Sequence, residues 1–229
     1  MSEPAAASDV VSDVVEVGDP RDPNDPSLMW TVCHKTAELA ATLCFDFHAY
    51  HADRIPRTGG VLLLANHQSY LDPPLLALKP PRQCAFLAKS GLFKFGPFSW
   101  LIRKLNAFPV KQGAGDVGAV KESIRLLQGG WMLTMFPEGT RSPDGELQPI
   151  ERGAGLLVKR AQVPVVPAVI DGAWDAWPPD GPAVPRLKPI RALYGEPQDL
   201  SHLKAADIQG WTADTLARLL DRLRSGNVG

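Results

Sequence analysis

Short, wholly apolar runs alternate along this chain with stretches in which apolar residues recur every three or four positions. Val61-Leu62-Leu63-Leu64-Ala65 is apolar throughout and follows Gly59-Gly60, so it reads as a buried strand. Residues 83–88, 107–110, 131–136, 163–170 and 189–194 predict five more strands, the run at 163–170 carrying two prolines. Helical spacing predicts a helix over 28–51, where Met29, Cys33, Thr36, Ala40, Leu43, Phe47 and Tyr50 recur and Ser27 can cap. It predicts others over 116–128, stopped by Gly129-Gly130, over 152–162, and over 211–224 with Thr212 near its start. Asp72-Pro73-Pro74 ahead of residues 75–78 looks like an N-cap, a proline-tolerant first turn and a short helix. Strands alternate with helices and no repeat is visible, which predicts an α/β sheet flanked by helices.

The polar positions divide the chain further. Residues 1–27 are rich in Ala, Ser, Asp and Pro, and 1–26 hold seven acids against Arg21, so a flexible acidic tail is expected ahead of a single domain over 28–229. The overall net charge of -1 conceals a basic middle: residues 79–125 carry nine bases against Asp116 and Glu122. Such a segment suits anionic lipid headgroups, phosphate substrates or nucleic acid, or is a scattered solvated surface. Residues 89–104 interleave Phe, Trp and Leu with Lys and Arg. That mixture fits a contact at headgroup level, and equally two short helices with their aromatics in the core. No nucleic-acid module is recognisable, so no nucleic-acid partner is expected. Lys35, Glu38 and Asp46 interrupt the helix at 28–51, so it lies on the domain, or in a membrane interface, rather than spanning a bilayer.

Cysteine use argues for a reducing compartment: Cys33, Cys44 and Cys84 are widely spaced and form no CxxC. His48 and His51 lack a second ligand pair, and no metal site is expected. The acidic start gives no sign of a signal peptide, and no apolar run is long enough to span a membrane.

Two stretches carry candidate chemistry. Asn66-His67-Gln68-Ser69-Tyr70-Leu71-Asp72 places a histidine and a carboxylate in a strand-to-helix turn. A carboxylate on one imidazole nitrogen fixes the tautomer and leaves the other nitrogen to take a proton. The plainer alternative is a turn histidine beside an Asp that only caps the helix. The run Phe136-Pro137-Glu138-Gly139-Thr140-Arg141-Ser142 offers a carboxylate, a glycine, a hydroxyl and a guanidinium able to meet a phosphate bidentately. Alone, it is also a plain turn with a surface ion pair.

As an ordered pair about seventy residues apart, NHQSYLD and FPEGTRS resemble the hallmark motifs of the glycerolipid acyltransferase family, which includes the 1-acyl-sn-glycerol-3-phosphate acyltransferases. Phe108-Pro109-Val110-Lys111 fits the family's intervening strand, with lysine where arginine is usual; Gly153-Ala154 and Val163-Pro164-Val165-Val166-Pro167 match later blocks. The resemblance covers roughly residues 45 to 172. It implies a central mixed sheet flanked by helices, with His67 as general base and Asp72 orienting it. Lys111 and Arg141 would hold the acceptor phosphate, Gly139 would permit its close approach, Thr140 would be a further substrate-binding residue, and Glu138 would shape the loop or bond a glycerol hydroxyl. Pro164 and Pro167 would line the acyl-chain side. The implied reaction moves an acyl chain from acyl-CoA or acyl carrier protein to a lysophospholipid hydroxyl, with no metal or bound cofactor. GxSxG is absent, in keeping with direct transfer. A lipid acceptor implies peripheral attachment to the membrane from the cytoplasm. A phosphate-free lysolipid acceptor and a non-catalytic lipid- or phosphate-binding module are the competing readings.

Overall fold

A computed structural model describes residues 22–110 and 117–229. It contains one seven-stranded sheet. The strands are β1 (His48–Tyr50), β2 (Val61–Ala65), β3 (Cys84–Lys89), β4 (Ala107–Val110), β5 (Met132–Met135), β6 (Val165–Asp171) and β7 (Arg191–Tyr194), in the order β1-β7-β6-β2-β5-β3-β4. β6 and β7 are antiparallel and every other pair is parallel, so the sheet is mixed, as expected.

Helices cover both faces. The continuous apolar run of β2 follows from this, because neither set of its side chains meets water. Val61, Leu63 and Ala65 pack with Ala41 of α1 (Leu28–Phe45) and Leu75 and Leu76 of α2 (Asp72–Leu76). Leu62 and Leu64 pack with Leu126 and Leu127 of α4 (Val117–Gln128), Leu157 and Val158 of α5 (Arg152–Ala161), and Ile208 of α7 (Ala205–Arg224). Full burial of each leucine contributes about 1.5–3 kcal/mol. The connection after β2 enters α2 on one face, and that after β5 enters α5 on the other. These neighbouring strands thus form a switch point, and open α/β sheets bind ligands beyond the carboxyl ends of strands at such a point.

Several boundaries differ from expectation. The first helix stops at Phe45, where Asp46 turns left-handed at φ 43. Phe47 then enters the core and residues 48–50 pair with β7, so the apolar spacing that continues to Tyr50 is strand packing and not helix. The last helix starts at Ala205; Thr212 lies inside it, with its hydroxyl donating to the Ile208 carbonyl. The Pro- and Trp-rich segment after β6 opens with a short helix, α6 (Ala173–Ala176). Within the expected tail, residues 1–21 lie outside the described residues, whereas Asp22 and Pro23 lend their carbonyls to the Gln83 amide at 3.3 Å. Residues 90–104 form a 3-10 turn (Ser90–Lys94) and α3 (Gly96–Lys104). Leu92, Phe95, Trp100 and Leu101 there are exposed, against the reading that buries the segment's aromatics.

Candidate active site

β2 and β5 pair in parallel, Leu64 beside Met135, so the loops that leave their carboxyl ends lie side by side. That register brings the two candidate stretches together. Asn66 first extends the sheet: its amide donates to the Ile170 carbonyl at 2.9 Å and its side-chain oxygen accepts the Ile170 N–H at 2.8 Å. The next residue, His67, is fixed at both backbone ends. Its N–H donates to Glu138 Oε1 at 2.7 Å, and its carbonyl accepts the Ser142 N–H at 2.7 Å. Its ring lies against Phe136, with centroids 4.0 Å apart and planes at 17°.

His67 Nδ1 donates to Asp72 Oδ2 at 2.8 Å. The same oxygen accepts the N–H groups of Gln68 at 2.5 Å and Ser69 at 2.7 Å. Asp72 therefore does not cap its own helix as expected. Leu71 occupies the cap position, and the fully buried Asp72 turns back onto the loop that carries His67. Burial pushes its carboxyl pKa up, while His67 and the two N–H groups pull against that rise. With Nδ1 committed as donor, Nε2 is the nitrogen left with a lone pair. It has no partner among the described residues, and the ring remains partly open to solvent.

Glu138 is also buried, and both its oxygens accept backbone N–H groups, from His67 and from Gln148, each at 2.7 Å. It shapes the loop and has no oxygen left over from backbone bonding. Desolvation pushes its pKa up to about 7, opposed by the two N–H bonds. Gly139 has φ +72, and a Cβ there would stand 2.8 Å from Glu151 Oε1, so backbone geometry alone requires glycine. Thr140 is exposed in the same loop. Arg141 lies over the Tyr70 ring with Cζ 3.7 Å from the centroid, and its Nη1 is buried without a hydrogen-bond partner. No carboxylate pairs with it among the described residues.

His67, Asp72, Glu138, Gly139, Thr140 and Arg141 thus share one end of the sheet. Lys111 lies outside the described residues. Pro164 and Pro167 are elsewhere. Pro164 precedes β6 at its amino end, away from the His67 loop, and Pro167 is buried inside the strand beside Leu64. Sequence reasoning missed Asn66, Phe136, Gln148 and Tyr70. Asn66 and Tyr70 gave a signal by lying inside the histidine stretch and Phe136 by opening the arginine stretch; Gln148 gave none. No group of three His, Cys, Asp or Glu residues converges among the described residues. His48 and His51 instead donate to the carbonyls of Asp46 and Val228.

A histidine bonded to a buried carboxylate at the carboxyl edge of a mixed α/β sheet, beside a loop whose arginine has no carboxylate partner among the described residues, is chemically able to take a proton and to meet an anion. Residues 46–171 match the family model described as Acyltransferase, and the chain belongs to that family. It is an acyltransferase. It is 26% identical over 183 residues to a 1-acyl-sn-glycerol-3-phosphate acyltransferase of Bacillus subtilis, covering 78% of this chain and 88% of that one. A Streptococcus pneumoniae protein of the same description is 30% identical over 166 residues, 71% of this chain but only 60% of the relative's length. The crystal structure of the Thermotoga maritima 1-acyl-sn-glycerophosphate (LPA) acyltransferase, PlsC, superposes with a TM-score of 0.75 at 28% identity, covering 85% of this chain and 79% of that one.

Proposed function

We propose that the enzyme moves an acyl chain from an acyl thioester, acyl-CoA or acyl carrier protein, to the free hydroxyl of 1-acylglycerol 3-phosphate, giving phosphatidic acid. One observation carries this reading: His67 is locked on Asp72 with Nε2 open, and the adjacent loop presents Arg141 without a carboxylate partner. His67 Nε2 takes the proton of the acceptor hydroxyl as its oxygen attacks the thioester carbonyl. The tetrahedral intermediate collapses, the C–S bond breaks, and the leaving thiolate takes the proton back from the imidazolium. Asp72 stabilises that imidazolium and holds the ring in place. Arg141 meets the acceptor phosphate, with Lys111 as a second cation. No acyl-enzyme is formed, and neither a metal nor a bound cofactor has a part in these steps.

The acceptor and product both reside in bilayers, and the same reading has the enzyme dock peripherally on the cytoplasmic side. Leu28, Val32, Leu39 and Leu43 share one stripe of α1 and are exposed, on the side away from buried Ala41. Leu92, Phe95, Trp100 and Leu101 add a second exposed apolar group among basic residues. No helix among the described residues is long and apolar enough to cross a membrane.

The test is product identification: purified enzyme with oleoyl-CoA, or oleoyl carrier protein, and lysophosphatidic acid, read by mass spectrometry. Phosphatidic acid is the expected product. Turnover only with a phosphate-free lysolipid, or hydrolysis to free fatty acid without an acceptor, would overturn the proposal.

A further inference from the structure

Arg141 is held in an unusual way for a cation at a site rim. Its guanidinium rests on the face of Tyr70, Cζ 3.7 Å from the centroid, and not against a carboxylate. Stacking on a ring face fixes the plane of the guanidinium while leaving the edge N–H groups to a planar or tetrahedral anion. Nη1 is buried and lacks a partner. Tyr70 is 54% exposed, so the core does not require an aromatic at this position. Its hydroxyl makes no hydrogen bond among the described residues, so the ring face is what Arg141 uses.

The ring is itself supported. Trp177 stands beside Tyr70 with centroids 5.6 Å apart and planes at 53°. Trp177 is held by Ser69, whose hydroxyl donates to its carbonyl at 2.7 Å, and by its own indole N–H, which donates to the Pro182 carbonyl at 2.8 Å. The same segment reaches the second loop through Trp174, whose indole N–H donates to the Pro143 carbonyl at 3.2 Å. Trp174 and Trp177 lie beyond the family match, which ends at residue 171. The histidine stretch, the arginine loop and the Pro- and Trp-rich segment therefore meet at one cluster, with Trp177 tilted against Tyr70 and Arg141 over the Tyr70 face.

We infer that Tyr70 is a positioning residue for the acceptor headgroup. Its ring holds the Arg141 plane so that paired N–H groups meet two phosphate oxygens, and this makes a phosphate monoester the preferred headgroup over a neutral one. The inference rests on the proposed function for the identity of the phosphate as the acceptor's own.

Titration calorimetry with glycerol 3-phosphate, a soluble headgroup, tests it without turnover, on the full-length wild type, Tyr70→Leu, Tyr70→Phe and Arg141→Ala. Tyr70→Leu is expected to weaken binding roughly tenfold, Tyr70→Phe to restore most of it, and Arg141→Ala to lose it. In thiol-release assays Tyr70→Leu should raise the KM for lysophosphatidic acid by a like factor, with kcat within about twofold. A merely structural tyrosine would lower the thermal midpoint and kcat without a KM shift, and that pattern overturns the inference. So does wild-type affinity in Tyr70→Leu, or a wild type that binds no phosphate. Headgroup binding that depends on Tyr70, in an enzyme that makes no phosphatidic acid, would sustain this inference and sink the proposed function.

Discussion

Asp72 Oδ2 collects three N–H donors, one from the imidazole and two from the backbone of the loop that carries it. Loop shape and ring orientation therefore depend on a single carboxylate. In Asp72→Asn an amide oxygen can still accept the three N–H groups, but the charge that stabilises the imidazolium is gone and the amide NH2 replaces the buried Oδ1, which has no partner. A loss of about a thousandfold in kcat for acyl transfer is expected, within the usual range for general-base catalysis, with KM for the acceptor little changed. Glu138 is the second buried carboxylate, and its behaviour with pH follows from its pKa of about 7 against an ordinary value of 4.5. Between those values the folded chain keeps a proton that the unfolded chain releases. Its contribution to stability therefore falls as pH rises through that window, on the order of 2–3 kcal/mol, and levels off above it. Glu138→Gln cannot ionise, so the thermal midpoint of the wild type relative to this variant should fall from pH 5 to 7 and stay flat to pH 8. A wild-type midpoint that rises relative to the variant over that range would contradict the assignment. At this scale the sequence was legible in residue type and spacing: a histidine and an aspartate five apart at a strand end announce a pair. What Asp72 does with its other lone pairs was not legible, because helix-start statistics favour a cap and only the folded loop reveals the competing donors.

Among the elements, β2, β5 and β6 do most to build the site. The parallel register of β2 and β5 puts the two loops together, and Asn66 ties the end of β2 to β6. Asn66→Ala removes two buried hydrogen bonds and leaves Ile170 N–H and C=O unpaired, a cost of roughly 2–4 kcal/mol. Calorimetric melting should register it, and kcat should fall as the His67 loop loosens. α5 packs on α7 so closely that a Cβ at Gly155 would lie 2.2 Å from the Ala205 carbonyl oxygen. Gly155→Ala should lower stability by about 1–3 kcal/mol in denaturant unfolding, because a helix backbone has to move. The central strands could be read from the sequence because burial on both faces makes them uninterrupted apolar runs. β1 could not, since its three residues continue the spacing of α1 and its pairing with β7 joins residues far apart in the chain. Nor could the approach of Pro- and Trp-rich residues to the site, which comes from tertiary contacts rather than from any periodicity.

The whole molecule is two-sided in the way its proposed substrate demands. One end of the sheet carries the histidine and arginine loops, while α1 and the 90–104 segment turn leucines, a phenylalanine and a tryptophan outward. Sedimentation with vesicles of phosphatidylcholine and phosphatidylglycerol should recover the wild type, and Leu39→Glu with Leu43→Glu should reduce the bound fraction at least fivefold by placing charge in the apolar stripe. Undiminished binding by that variant would remove α1 from the docking surface. The central claim concerns the chemistry, and thiol release from palmitoyl-CoA with and without lysophosphatidic acid tests it most directly, comparing wild type with His67→Ala. Release that requires the acceptor in the wild type, and falls by about a hundredfold or more in His67→Ala, is the predicted result. Thiol release that ignores the acceptor, or a His67→Ala variant as active as the wild type, would contradict it.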